Sequence, residues 1–299
     1  MSAPAALMAG RSGWLQTAAV AGVLSLICCF RGSREKKPLP GWLAVLELLW
    51  LCVIMAQTGR AAAGIWPEAV QPMLVPVVLM ALSILCAAAG TGASARCSST
   101  LWWLLMLLYG LVLFSGVKDI RLSWLRPAGP MPGPDAAGVF LIPALLGFLE
   151  PEHTGAAKRG YLWVAVFGAV MGIWTVGTLS PAVAAEAAWP FHEACKSLNL
   201  FGAAERFEAF ASAAVTIGCF SLLNLILCAA GSMGEDLKQG QGKRSMITVG
   251  AISILFLWFM PDLDGNTQLI VSIILWILLP CLTTERRKQK NLKKYEKSA

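Results

Sequence analysis

The residue whose side chain is the clearest candidate for a chemical role is Glu47. It is a carboxylic acid inside the otherwise apolar run Trp42–Gln57. If this run crosses a membrane, a charged acid at the bilayer centre costs about 2.5–3.5 kcal/mol on insertion scales. Such a group can pair with a basic residue or carry a proton. It can equally be a protonated or interface-near acid that faces a helix bundle, and the sequence leaves these alternatives open.

A second candidate is the short apolar stretch Ala137–Leu149, which glycine and proline interrupt. A broken membrane helix leaves backbone groups free to meet a ligand, although a simple kink followed by a cap gives the same pattern. The residues expected to bind a ligand here are Gly138, Phe140, Pro143 and Gly147.

Residues near the predicted ends of helices form a third group, for which we expect a structural or gating role. Thr58 and Arg60 follow the first run, where an arginine can simply extend to the membrane interface. An acid–base–acid set opens a later span, either as a structured ion pair or as a solvated helix start. The residues of this group are Thr58, Arg60, Glu152, His153, Trp189, Pro190, Glu205, Arg206 and Glu208.

Motifs of known catalytic and metal sites are missing from the sequence. It contains no GxSxG, HExxH or phosphate-binding loop and no CxxC pair, and its two histidines lie far apart. Most of the nine cysteines lie inside apolar runs, which is typical of buried thiols. We therefore expect no enzyme activity, no cofactor and no metal.

The composition places these residues in a membrane. The chain has 299 residues, of which 57% are hydrophobic and 14% charged. A soluble domain has about 25% charged residues, because charged side chains cover much of its water-exposed surface. The sequence therefore predicts an all-α polytopic helical membrane protein and excludes soluble enzymes and nucleic-acid-binding proteins.

Nine apolar segments are long enough to be spans, or short spans buried among others. We expect one transmembrane domain over residues 1–284 and a basic cytosolic tail over 285–299. The predicted spans are Trp14–Phe30, Trp42–Gln57, Met73–Ala89, Leu101–Val117, Ala137–Leu149, Tyr161–Leu179, Phe207–Ala230, Met246–Met260 and Leu269–Leu282.

The basic residues orient these spans. With the C-terminus in the cytosol, 17 of the 24 lysines and arginines fall in the tail and in cytosolic loops. Seven fall outside, so the positive-inside rule favours this orientation. An odd number of spans then places the N-terminus outside.

Four motifs in order give the chain a family resemblance. It resembles the spore-germination permeases, the membrane B subunits of nutrient germinant receptors, within the amino acid–polyamine–organocation superfamily. The motifs are WLRPAG (Trp124–Gly129), FLEPEH (Phe148–His153), WPFHEACKSLNL (Trp189–Leu200) and ERFEAF (Glu205–Phe210).

The resemblance implies a fold of ten helices in two inverted repeats, from which this chain lacks the first helix. It implies a receptor that senses an amino acid or similar nutrient to trigger spore germination. The implied partners are an A-type membrane subunit and a C-type lipoprotein, in the spore inner membrane or the cell membrane. The alternative is a secondary transporter that moves an amino acid with an ion.

Overall fold

The computed structural model describes residues 40–66, 73–125, 154–187, 189–198, 207–238 and 240–279. All regular secondary structure in these residues is helical, with no strand. The α-helices are α1 (Gly41–Ala63), α2 (Leu74–Ala88), α3 (Thr91–Gly116), α4 (Thr154–Leu179), α5 (Pro181–Glu186), α6 (Pro190–Ser197), α7 (Phe207–Leu237), α8 (Gly242–Phe259) and α9 (Gly265–Ile273).

Several helices are long and apolar enough to cross a membrane. Within the described residues four stretches meet both conditions: Gly41–Ala63, Gly92–Asp119, Glu208–Glu235 and Gly242–Phe259. Large apolar side chains such as Trp103 and Phe114 also face outwards, as the lipid-facing surface of a membrane protein does. The protein is therefore an all-α helical membrane protein, as the composition predicts. The count of nine spans stays a prediction, because the spans expected at 14–30 and 137–149 lie outside the described residues.

Helix α7 is the centre of the bundle. It packs against α1, α2, α3 and α8. Helices α1, α2, α7 and α8 share one core of buried apolar side chains, whereas α3 meets α7 in a smaller cluster around Leu105, Leu108 and Ala214. Leu223, Ile226 and Leu227 of α7 are wholly buried in that core. Helix α4 packs instead against α3 and the short helices α5 and α6.

Contacts between helix ends fix the directions of the helices. The end of α1 meets the end of α8, since Arg60 donates to the carbonyl oxygen of Leu257, so α1 and α8 run parallel. Helix α7 runs antiparallel to both, because its last residue, Leu237, lies beside Gly41 at the start of α1. The ends of α3 and α4 also meet, where Gly177 contacts Ile120. This is the direction expected of the fourth and sixth predicted spans.

Most helices extend beyond the predicted apolar segments. Helix α1 continues to Ala63 rather than ending at Gln57, and α3 begins at Thr91 rather than at Leu101. The added turns carry polar residues. Hydrophobicity alone therefore does not predict these ends of the helices.

Candidate functional site

Glu47 lies inside the protein and not at its lipid face. Only 1% of the residue is exposed, and it follows the buried Leu43 by one turn of α1. Glu47 therefore faces the helix bundle. Its burial is compatible with pairing, with proton uptake and with a permanently protonated acid, so these alternatives stay open. A carboxyl group is costly to bury in its charged form inside a membrane, so it can take up a proton or meet a cationic group.

The helix opposite Glu47 has a local defect. Helix α9 continues beyond Ile273 as a π-helical turn, Ile274–Leu278, which contains the buried Trp276. Trp50 Nε1 donates to Ser272 Oγ at 2.9 Å, and Gln57 Nε2 donates to the Pro261 carbonyl oxygen at 2.9 Å. These two contacts show that the segment from Pro261 through α9 runs antiparallel to α1. Glu47 precedes Trp50 by one turn, and Trp276 follows Ser272 by one turn. Because the two segments are antiparallel, Glu47 and Trp276 lie at the same level of the bundle.

A π-helical turn is rare and is frequently found at functional sites. We define the Glu47 site by Glu47, Trp50, Ser272 and Trp276, all of which are at most 9% exposed. Sequence reasoning found Glu47 but missed the other three. The available signal was spacing, because Trp50 follows Glu47 by three residues and Trp276 follows Ser272 by four, which places each pair on one helix face.

Arg60 is held by protein groups rather than extended to the interface. Its Nη1 donates to Asp262 Oδ1 at 3.0 Å, and its Nη2 donates to the Leu257 and Phe256 carbonyl oxygens at 2.6 and 3.2 Å. Nη2 also contacts the Met260 carbonyl oxygen. The last carbonyl groups of a helix have no partner within it, and a cation there is stabilised by the helix dipole. Arg60 therefore caps the end of α8, and the alternative of an arginine that only extends to the interface does not describe its contacts.

The second residue of that pair has a smaller role. Thr58 Oγ1 donates to the Ile54 carbonyl oxygen of its own helix at 2.8 Å. The side chain is 1% exposed and satisfies itself, so it needs no partner from another helix. Gln57, which the sequence did not single out, joins Arg60 in holding the segment after α8.

Trp189 and Pro190 position the short helix α6 beside the end of α1. A Cβ atom placed on Gly64 would lie 3.1 Å from Trp189 Nε1, so the indole stands directly over this glycine. Pro190 is the first residue of α6, where its missing N–H costs no hydrogen bond.

The amphipathic helix α6 carries a histidine that contacts α7. His192 Nε2 lies 3.1 Å from Ser212 Oγ. Burial lowers the pKa of His192, as does the charge of Lys196, while Glu193 and Glu208 act in the opposite direction. Glu208 thus lies at the opening of α7 as expected, near His192. Its predicted partners Glu205 and Arg206 lie outside the described residues.

The remaining predicted site residues also fall outside the described ranges. These residues are Gly138, Phe140, Pro143, Gly147, Glu152 and His153. The interrupted helix that they predict stays a prediction. Among the described residues no group of three or more His, Cys, Asp or Glu side chains has the arrangement of a metal site.

No protein-family model matches the chain, and no curated protein matches it significantly. The family resemblance carried by the four motifs therefore stays a prediction.

Proposed function

We propose that this chain is the membrane subunit of a spore nutrient germinant receptor, in which a nutrient acts at the Glu47 site. The buried carboxyl group of Glu47 is the observation that carries the proposal. Amino acids carry an ammonium group, and a carboxylate buried in a membrane protein is a natural partner for such a cation. The four ordered motifs support the receptor family.

The proposed signal passes along α1. Glu47 and Arg60 are 13 residues apart on this helix, which corresponds to about 20 Å. Arg60 and Gln57 hold the end of α8 and the segment that leads into α9. A ligand that binds one arrangement of α1 and α9 more tightly than another shifts the population between them. Such a shift at Glu47 would reach the opposite end of the bundle through these hydrogen bonds.

The proposed partners are the A-type membrane subunit and the C-type lipoprotein, in the spore inner membrane or the cell membrane. The test is deletion of the gene from the spore-forming source organism. We expect deleted spores to lose the response to one class of amino acid, and the A-type subunit to co-purify with the tagged chain from wild-type spores. An unchanged response to every nutrient would contradict the proposal.

A secondary transporter of an amino acid with an ion is the second candidate. A buried carboxyl group that takes up and releases a proton is also the feature that proton-coupled transport requires. Uptake of a labelled amino acid into liposomes that contain the purified chain, driven by a pH gradient, would favour this function over sensing. Binding without uptake would favour the receptor.

A further inference from the structure

A polar side chain that the proposed function does not use lies near the middle of α7. Asn224 is 1% exposed, and neither its Nδ2 nor its Oδ1 has a hydrogen-bond partner among the described residues. An amide side chain offers two N–H donors and an acceptor oxygen, and each is costly to leave unpaired where lipid excludes water.

Most hydroxyl groups in these helices avoid this cost locally. Ser253 Oγ donates to the Val249 carbonyl oxygen at 2.7 Å, as Thr58 does in α1. A hydroxyl group reaches the preceding turn of its own helix by rotation about one bond. The amide of Asn224 makes no such local bond, so its N–H groups and its oxygen lack partners among the described residues.

A second buried polar group lies at the level of Asn224. Ser94 Oγ donates to Cys86 Sγ of α2 at 3.7 Å. Cys228 of α7 lies close to both Ser94 and Cys86, so the two cysteines are neighbours. One turn towards the Arg60 end, α2 carries Ser83 and α7 carries Asn224. Ser83 is fully buried, and its Oγ has no partner among the described residues.

Helix α8 contributes to the same level. Gly231 of α7 packs directly against Met246 of α8, and these two helices run antiparallel. Asn224 precedes Gly231 by seven residues, and Ser253 follows Met246 by seven residues. In antiparallel helices these equal steps bring Asn224 and Ser253 to the same level. We call Ser83, Asn224 and Ser253 the polar layer; each comes from a different helix, and each is at most 1% exposed.

We propose that the polar layer is a water-binding site that opens when α2 separates from α7 and α8, and that the packing in this structure is its closed state. A buried water molecule needs two to four polar partners and about one probe sphere of free volume. The three side chains of the layer are the proposed partners. The amide atoms of Asn224 are sealed from solvent in the present packing, so the volume must come from movement of the helices.

Thiol labelling of the purified full chain in lipid nanodiscs tests this proposal. In the Asn224→Cys variant we expect a small water-soluble methanethiosulfonate reagent to label position 224. The matched control is Leu223→Cys, because Leu223 is also fully buried and lies in the apolar core. Labelling is read by mass spectrometry of the peptide, so the native cysteines stay in place and Cys219 of the same helix serves as an internal reference.

We expect position 224 to react at least about tenfold faster than position 223, as a site that opens by local motion should. Equal protection of both positions in the folded protein would overturn the proposal.

Asn224→Leu gives a second test, because it removes the unpaired amide at similar volume. It should raise the melting temperature by about 2–4 °C. A lower melting temperature would mean that the closed state satisfies the amide, which also overturns the proposal. Neither test needs a receptor partner, so their failure would leave the proposed function untouched.

Discussion

At the scale of single residues, Arg60 shows how this protein satisfies helix ends within a membrane. The guanidinium group presents its donors in a planar fork, so it can meet the carbonyl groups at the end of α8 and the carboxylate of Asp262 together. Lysine has a single ammonium group and cannot reproduce this arrangement. The role of Arg60 therefore depends on the shape of the side chain as well as on its charge.

Substitution of Arg60 tests this role. We expect Arg60→Ala to lower the free energy of unfolding by about 1.5–3 kcal/mol, because it leaves helix-end carbonyl groups without a partner. Arg60→Lys should restore only part of this loss. Thermal unfolding in detergent measures both, with Arg96→Ala as the control because Arg96 is exposed on α3. Equal stability of the Arg60→Ala and Arg96→Ala variants would contradict the capping role.

His192 gives the protein a predicted pH dependence. Its pKa in the fold is lowered, chiefly by burial, so the folded protein favours the neutral imidazole more than the unfolded chain does. The unfolded chain then binds more protons, and its histidine has a pKa of about 6.5. The contribution of His192 is complete above that pH and is lost as the pH falls from there through the lowered pKa. The melting temperature of the wild type should therefore fall relative to that of His192→Gln as the pH falls through this window; parallel curves would count against this assignment.

Single residues also show what sequence can and cannot predict about a site. Glu47 is visible because an acid interrupts an apolar run. The partners of Arg60 cannot be predicted from the sequence, since Asp262 lies 202 positions away and no local pattern in either segment indicates that the two residues pair. Ser83 and Asn224 are equally obscure, because only the packing of α2 on α7 brings them to one level.

At the scale of elements, small residues determine how closely α3 and α4 approach. A Cβ atom on Gly116 would lie 2.7 Å from Trp174 Cζ2, whereas one on Gly110 of the same helix meets nothing within 4 Å. Trp174 Nε1 also donates to the Leu113 carbonyl oxygen at 3.1 Å, near the end of α3. The rigid indole and its hydrogen bond leave no room for a methyl group at position 116.

The two glycines form a matched pair for experiment. We expect Gly116→Ala to lower the free energy of unfolding by about 1–3 kcal/mol, the usual cost of overpacking. Gly110→Ala should be neutral or stabilising, because alanine favours the helix by about 1 kcal/mol over glycine. Thermal unfolding of both variants measures the difference. Similar melting temperatures would mean that the α3–α4 contact is looser than in this structure.

Element existence was easier to predict than element bounds. The described helices α1, α2, α3, α4, α7, α8 and α9 all overlap predicted spans, because long apolar runs identify membrane helices. Their ends were missed where polar turns extend them, as in the ten residues that α3 adds before Leu101. The π-helical turn Ile274–Leu278 was also missed, since its apolar sequence is indistinguishable from that of an α-helix.

At the scale of the whole molecule, the helix directions predict which loops share a side of the membrane. Lys196 lies in α6, at the end of the bundle that carries Arg60. Lys238 lies in the turn between α7 and α8, at the opposite end. Both side chains are exposed. With the cytosolic side assigned by the positive-inside rule, Lys196→Cys should react with a membrane-impermeant thiol reagent from outside and Lys238→Cys only after permeabilisation. Reaction of both from the same side would refute this topology.

The central claim is that Glu47 is the residue at which the nutrient acts. The most direct measurement compares the germination of spores that carry Glu47→Gln with spores that carry Asp119→Asn, with the amount of each protein in the spore membrane determined in parallel. Asp119 is exposed at a helix end, so its substitution controls for the loss of one carboxylate. Since the amide cannot be deprotonated, we predict that Glu47→Gln reduces the response to the amino acid by at least about tenfold at normal protein levels, equivalent to about 1.4 kcal/mol of lost coupling. Asp119→Asn should respond like the wild type. A full response from Glu47→Gln spores would contradict the claim.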